Sequence, residues 1–363
     1  MKVNKKHGGL ETESSFYFIG QIKPTTTGFG QNKKLAPLFN KFRGNEGVDI
    51  KTLKFNLLTS KHNELKMELV AFPPRSVYAY SPIDKNTIEI SYKDRFDYKL
   101  PSKDYNIIEP TWDLIDKYEK EIKLDDWVEV TGYYDFDEIT NEDGNVFKFR
   151  KRIISSIRLL QECEEEGKVK IWSDKRLEFY NIDYVCDFNS PDFREVNSVV
   201  IEAGILSTYP LENKDTKVNS FILKRGKEKS IYKEIELYCP YVEPEENNIS
   251  LAEAFLALNR LDKVKVRCID NNRLLFGEVI EDIPDNSPFA KVGSSAISKR
   301  SSYNIIGNNK NLEIIKIEQK DGYVDKFFKE EDLIKENSII KTKNNEVIEE
   351  AEKEVPSWLK RQG

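Results

Sequence analysis

Residues 127–160 read WVEVTGYYDFDEITNEDGNVFKFRKRIISSIRLL, and this stretch decides the fold. Val128 and Val130 face one way while Glu129, Thr131 and Tyr133 face the other, the two-residue period of a half-buried strand. Asp143-Gly144 supplies the positive backbone angles of a hairpin turn. The return strand alternates rings and cations: Phe147 and Phe149 share one face, and Lys148, Arg150 and Arg152 share the other. A helical segment, 112–122, precedes the pair. Strands, then a helix, then a closing hairpin is the order of a small barrel.

Working outward, the chain of 363 residues is long enough for two cores. Its 39% apolar and 33% charged content suits a globular protein with a polar surface. A net charge of -6 argues against a uniformly basic coat, but leaves room for a local cationic groove. Cys163, Cys186, Cys239 and Cys268 are too scattered for a zinc site and read as reduced thiols, so a cytoplasmic setting is expected. The N-terminus lacks an apolar signal core, and no run approaches membrane-spanning length, so no membrane partner is expected.

Residues 1–13 read as a flexible arm and 14–160 as a first barrel-like domain. Its first strand carries Gly20, which suits a bend, and is followed by a long loop with a short helical turn around 38–42. Residues 75–100 form an inserted hairpin carrying Tyr78, Tyr80 and Tyr92, which either packs on its own domain or walls a groove. Residues 161–194 serve as linker and extension, and a second domain spans 195–320. A helix, Leu-Asp, then an alternating valine strand occurs at LDDWVEV, 124–130, and again at LDKVKV, 261–266, which reads as a duplicated architecture. Residues 321–363 read as a charged, largely disordered tail. The fold expected is therefore mainly β: two tandem five-stranded barrels, each with a helix before its fourth strand, and an acidic tail.

Catalysis finds little support. His7 and His62 are the only histidines, and neither neighbours a second ligand or a nucleophile. Gly28-Phe29-Gly30 lacks the third glycine of a dinucleotide loop, and Gln319 stands where the lysine of a K-x-D-G nucleotidyltransferase motif would be. No metal, cofactor or enzymatic activity is expected. Binding fits better, because single strands are held by cations for the phosphates and by rings for the bases. The first domain offers Tyr133, Phe147, Lys148, Phe149, Arg150 and Arg152, with Tyr78, Tyr80 and Tyr92 from the insert. The second offers Lys224, Arg225, Lys227 and Lys229 in one turn, with Arg267, Arg273, Lys299 and Arg300. Phe147 and Phe149 either stack bases or enter the core, leaving the alternating cations to line a groove.

Five glutamates between Glu346 and Glu354 precede Pro356, Trp358 and Leu359. This end resembles the acidic tails of bacterial and phage single-stranded DNA-binding proteins, although Lys360 and Arg361 follow the apolar tip here. The whole resembles tandem OB-fold single-stranded DNA-binding proteins, phage-type or replication-protein-A-like, over roughly residues 14–319. That resemblance implies protection of exposed DNA, or alternatively RNA, during replication, recombination or repair, with the tail docking replication or repair proteins. Lys- and Asn-rich usage is what AT-rich genomes produce, many phages among them, which would place the chain in a host cytoplasm. A phage structural or assembly protein using β-domains for protein contacts is the alternative.

Overall fold

The computed structural model describes residues 10–27, 34–44, 47–140, 145–160, 168–170, 183–225, 230–280, 301–320 and 322–333. It is mainly β. The first half contains β1 (Ser14–Lys23), β2 (Phe39–Arg43), β3 (Asp49–Ser60) and β4 (Asn63–Ala71). A separate small sheet follows, made of β5 (Ser76–Ser81), β6 (Asn86–Ser91) and β7 (Asn106–Ile107). Helix α1 (Thr111–Glu121) leads into the hairpin β8 (Trp127–Thr140) and β9 (Val146–Leu159). β1 pairs antiparallel with both β3 and β8, β3 with β4, and β8 with β9. β4 closes this five-strand circuit by running parallel to β9 through Met67–Arg152 and Glu68–Ile153. Alternation sends Phe18, Phe55, Leu57, Met67 and Val130 inside, all fully buried.

The second half repeats the circuit with β10 (Asn197–Pro210), β11 (Thr216–Arg225), β12 (Ser230–Cys239), α2 (Leu251–Leu256) and β13 (Lys263–Asp270). The excursion β14 (Arg273–Ile280) and β15 (Ser301–Asn309) precedes β16 (Leu312–Ile317), and β17 (Tyr323–Val324) comes last. β10 pairs with β11 and β13, β11 with β12, and β13 with β16. The parallel step is again the closing one, at Tyr238–Glu313.

The two circuits share their registers. Phe16–Gly132 corresponds to Val199–Cys268, Gln21–Leu58 to Gly204–Phe221, Leu58–Glu64 to Phe221–Glu234, and Glu68–Ile153 to Tyr238–Glu313. Even the bulges coincide, after Thr131 in β8 and after Arg267 in β13. The Leu-Asp match is out by one residue, since the register makes Asp126, and not Asp125, the counterpart of Asp262, and this shared aspartate has a physical basis. Asp126 and Asp262 each accept a backbone N–H three residues upstream, from Lys123 at 2.9 Å and Asn259 at 2.8 Å. The residue before each, Asp125 and Leu261, takes a left-handed turn, φ 70° and 74°, to donate its N–H to Ile22 and Ile205. β1 and β10 lie antiparallel side by side, Phe16 opposite Val199, its own counterpart, and one apolar core runs through both halves.

Gly132 is required where it stands. A Cβ there would lie 2.0 Å from the Ile153 carbonyl oxygen and 2.4 Å from the Phe16 ring, so Gly132→Ala forces the core apart. A loss of at least 2 kcal/mol or so in urea unfolding is expected, and an unchanged midpoint would contradict this packing.

Four expectations need correction. Residues 39–43 are a strand and not a helical turn, because β2 pairs with β3 along its length. The arm is not loose throughout: the Thr12 N–H and hydroxyl both reach the Leu223 carbonyl, which ties residues 10–13 to the second half. Part of the supposed linker packs too, with Tyr184, Cys186 and Phe193 in the cluster that covers Ile19 of β1. The tail begins later than residue 321, since β17 pairs with β13 and Phe328 is buried against Phe221, Leu223 and Tyr232. No helix among the described residues is long and apolar enough to cross a membrane.

Candidate nucleic-acid interface

The cations singled out in the sequence turn inward. Arg152 is buried and donates from Nε and Nη2 to both carboxylate oxygens of Asp270, at 2.6 and 2.8 Å. Arg150 donates to the same carboxylate at 2.7 Å and to the Asn271 and Asn311 carbonyls. The Tyr134 hydroxyl adds a fourth bond to Asp270, at 2.5 Å. Asp270 is fully buried and belongs to the second half, so this hairpin clasps one half to the other. Arg150 and Arg152 therefore do not line a groove. A buried guanidinium is stable where a carboxylate meets its fork, as Asp270 meets that of Arg152, while Arg150 adds one further bond to the same carboxylate.

Burial alone would raise the Asp270 carboxyl, but Arg152 and Arg150 outweigh it and hold it below the ordinary 3.8. The unfolded chain therefore takes up this proton first as pH falls. The contribution is complete above pH ~4 and is lost as pH drops through the depressed native value. Thermal melts from neutral pH downward should stay level to about pH 5 and fall steeply below 4, and Asp270→Asn should flatten that acid limb. Equal acid limbs in the two proteins would contradict the clasp.

Other predicted cations are also engaged. Lys148 pairs with Glu234 at 2.9 Å, and Lys224 with Asp135, beside Lys233 and Asp137 at 2.9 Å. Arg267 binds Glu318 and the Ser198 hydroxyl, both at 2.8 Å, and Arg273 binds Glu195 at 2.5 Å. Tyr92 is an anchor: its hydroxyl donates to Asp113 at the start of α1, and the Arg95 guanidinium lies 3.7 Å over its ring. The side chains of Phe147 and Arg225, and residues Lys227, Lys229, Lys299, Arg300, Pro356, Trp358 and Leu359, lie outside the described residues.

With Arg150, Arg152 and Ile154 turned in, the odd positions 149, 151 and 153 lie on the outer side. Of the two expectations for the rings, Phe149 follows the outer one: it is only half-buried, and the Lys151 ammonium sits 5.7 Å over it. Pairing carries this outer face across four strands in one row, Tyr133 to Ile153 to Glu68 to Lys54. Tyr133 is 51% exposed. Lys66 stands beside the row on β4, exposed, and Phe42 on β2, 45% exposed, closes the far side. Lys54, Lys66, Lys151, Ile153 and Phe42 were not picked out in the sequence. Their signal was parity alone: once Arg152 is inward, Lys151 must be outward. The insert's Tyr78 and Tyr80 are exposed on one face of β5, above a small core of Val77, Ala79, Ile90 and Tyr105.

This arrangement offers rings for stacking and ammonium groups for phosphates on one sheet face. No protein-family model matches the chain, and no curated protein does. Two solved structures of the single-stranded DNA-binding protein from Thermus aquaticus overlap it. A deletion variant is 10% identical with a TM-score of 0.32, covering 86% of this chain and 99% of that one. The wild type is 9% identical with a TM-score of 0.33, covering 83% and 94%. Overlap this loose decides nothing about the present chain, whose reading rests on its own strand pairings and surface.

Proposed function

We propose that the two circuits are tandem OB barrels and that the chain binds single-stranded DNA on the outer face of the first. The pairing order supports the barrel reading: the third strand parallel to the fifth, with a helix before the fourth, is the OB arrangement. The observation that carries the binding reading is the row Tyr133–Ile153–Glu68–Lys54, flanked by Phe149, Lys151, Lys66 and Phe42, of which Tyr133, Lys151, Lys66 and Phe42 are exposed. Bases stack on the rings while the lysines meet phosphates, which suits protection of exposed strands in replication, recombination or repair. On the same reading the acidic C-terminal stretch, with Pro356, Trp358 and Leu359 near its end, docks replication or repair proteins.

Fluorescence titration with oligo-dT across a salt series tests this. Three lysines on the face predict a slope of log affinity against log salt of about −2. Absence of binding at low salt, or binding indifferent to salt, would refute the proposal. One observation favours the rival reading of assembly through protein contacts: Tyr78, Tyr80 and Ile108 are all exposed on the insert. Under that reading, oligo-dT does not bind and the chain self-associates in sedimentation.

A further inference from the structure

Because the two circuits share the registers given above and differ only at bulges near strand ends, the middle of their outer faces compares position by position. The row Tyr133–Ile153–Glu68–Lys54 of the first half corresponds to Ile269–Glu313–Tyr238–Lys217 in the second. The exposed ring of β8 is thus replaced by isoleucine, and the apolar position of β9 by a carboxylate. Lys66 corresponds to Glu236, which holds Lys217 in an ion pair at 2.9 Å. Glu234 stands beside it on β12 and already binds Lys148. A phosphate backbone arriving here would meet Glu234, Glu236 and Glu313 where the first half has Glu64, Lys66 and Ile153; the row lysine is paired in both, Lys217 with Glu236 at 2.9 Å and Lys54 with Glu68 at 3.9 Å.

One end of the second face is covered by the chain itself. β17 adds to β13, and the Tyr323 hydroxyl and Lys326 N–H both reach Asp262, at 3.2 and 3.0 Å. Phe328 then lies on the rings of β11 and β12, 4.9 Å from the Phe221 centroid, and is 2% exposed. Phe221 corresponds to Leu58 and Glu234 to Glu64, so Phe328 covers the counterpart of the first half's open β3–β4 surface. Arg260 bound to Glu330 at 2.9 Å fixes the far end of this strap.

We propose that the halves divide the work, resting on the binding reading above: single-stranded DNA occupies the first half alone, one site per chain. The second half is a partly covered copy, its β11–β12 end overlain by Phe328 and its exposed row made repulsive to phosphate by carboxylates. It contributes rigidity through the Asp270 clasp instead of contacts to DNA.

The test uses the full chain and an oligo-dT of about eight nucleotides, within the span of one barrel. Titration at about 50 mM salt should saturate at one equivalent per chain. Replacing Lys66 and Lys151 with Gln should weaken binding about tenfold or more, while replacing Lys217 with Gln and Tyr238 with Ala should change it less than about twofold. Melting curves identical to wild type show that each variant is folded. Two equivalents, or a second-half variant as weak as the first-half one, would overturn the division of work and leave the binding reading standing. No binding by the wild-type chain would overturn both.

Discussion

Asp270→Ala is expected to destabilise the protein by about 3–5 kcal/mol, the usual cost of leaving a buried ion pair half-made. The carboxylate accepts from Arg150, Arg152 and Tyr134, and its loss strands two guanidinium groups in a site closed to water. The Asp270 carbonyl, by contrast, keeps its bonds from Asn63 and Asn197, at 3.0 and 2.8 Å, so the backbone stays seated. The damage should therefore be electrostatic and confined to the junction. Urea unfolding should show a lower midpoint, and a broadened or two-step transition if the halves uncouple. A loss under about 1 kcal/mol would mean that the arginines find other partners and that the clasp is incidental.

Much of the architecture was legible from period and turn chemistry. Valines alternating after Leu-Asp marked β8 and β13, because a strand with one buried face must repeat every second residue. Asp143-Gly144 pointed to a hairpin, and the strands on either side pair up to Thr140–Val146, while the two residues themselves lie outside the described residues. What period could not decide was which parity faced inward on β9. Rings at 147 and 149 against cations at 148, 150 and 152 left both parities open, and the structure turns Arg150 and Arg152 inward with Phe149 on the other side. The reason lies about 120 residues downstream in Asp270, an acid at the end of an ordinary valine strand, and nothing local to either segment links the two. Residues 10–13 and 322–333 were misjudged for a related reason. Their polar composition describes a segment in isolation, whereas Thr12 and Phe328 are held by strands of the second half.

The second large effect concerns binding. Replacing Tyr133 and Phe149 together by Ala should weaken oligo-dT affinity by about 2–4 kcal/mol, taking roughly 1–2 kcal/mol for each stacked base. That is a loss of about 30-fold to nearly 1000-fold, with the salt slope unchanged because no lysine is removed. Tyr133 is half exposed and Phe149 lies on the outer side of the hairpin, so folding should suffer by less than about 1 kcal/mol. Lys151→Gln should behave in the opposite sense, with a modest loss of affinity and a slope smaller by about 0.7. Affinity unchanged in the double ring variant would place the bases elsewhere, on Tyr78 and Tyr80 of the insert in the first instance.

The central claim, that bases lie on the outer face of the first half, is tested most directly by photocrosslinking. Oligonucleotides carrying 5-bromouracil, bound to the full chain and irradiated, should mark Tyr133 and Phe149 in mass spectra of the digested complex, with Phe42 as the outlying contact. Crosslinks confined to Tyr238 or to the rings around Phe328 would contradict it.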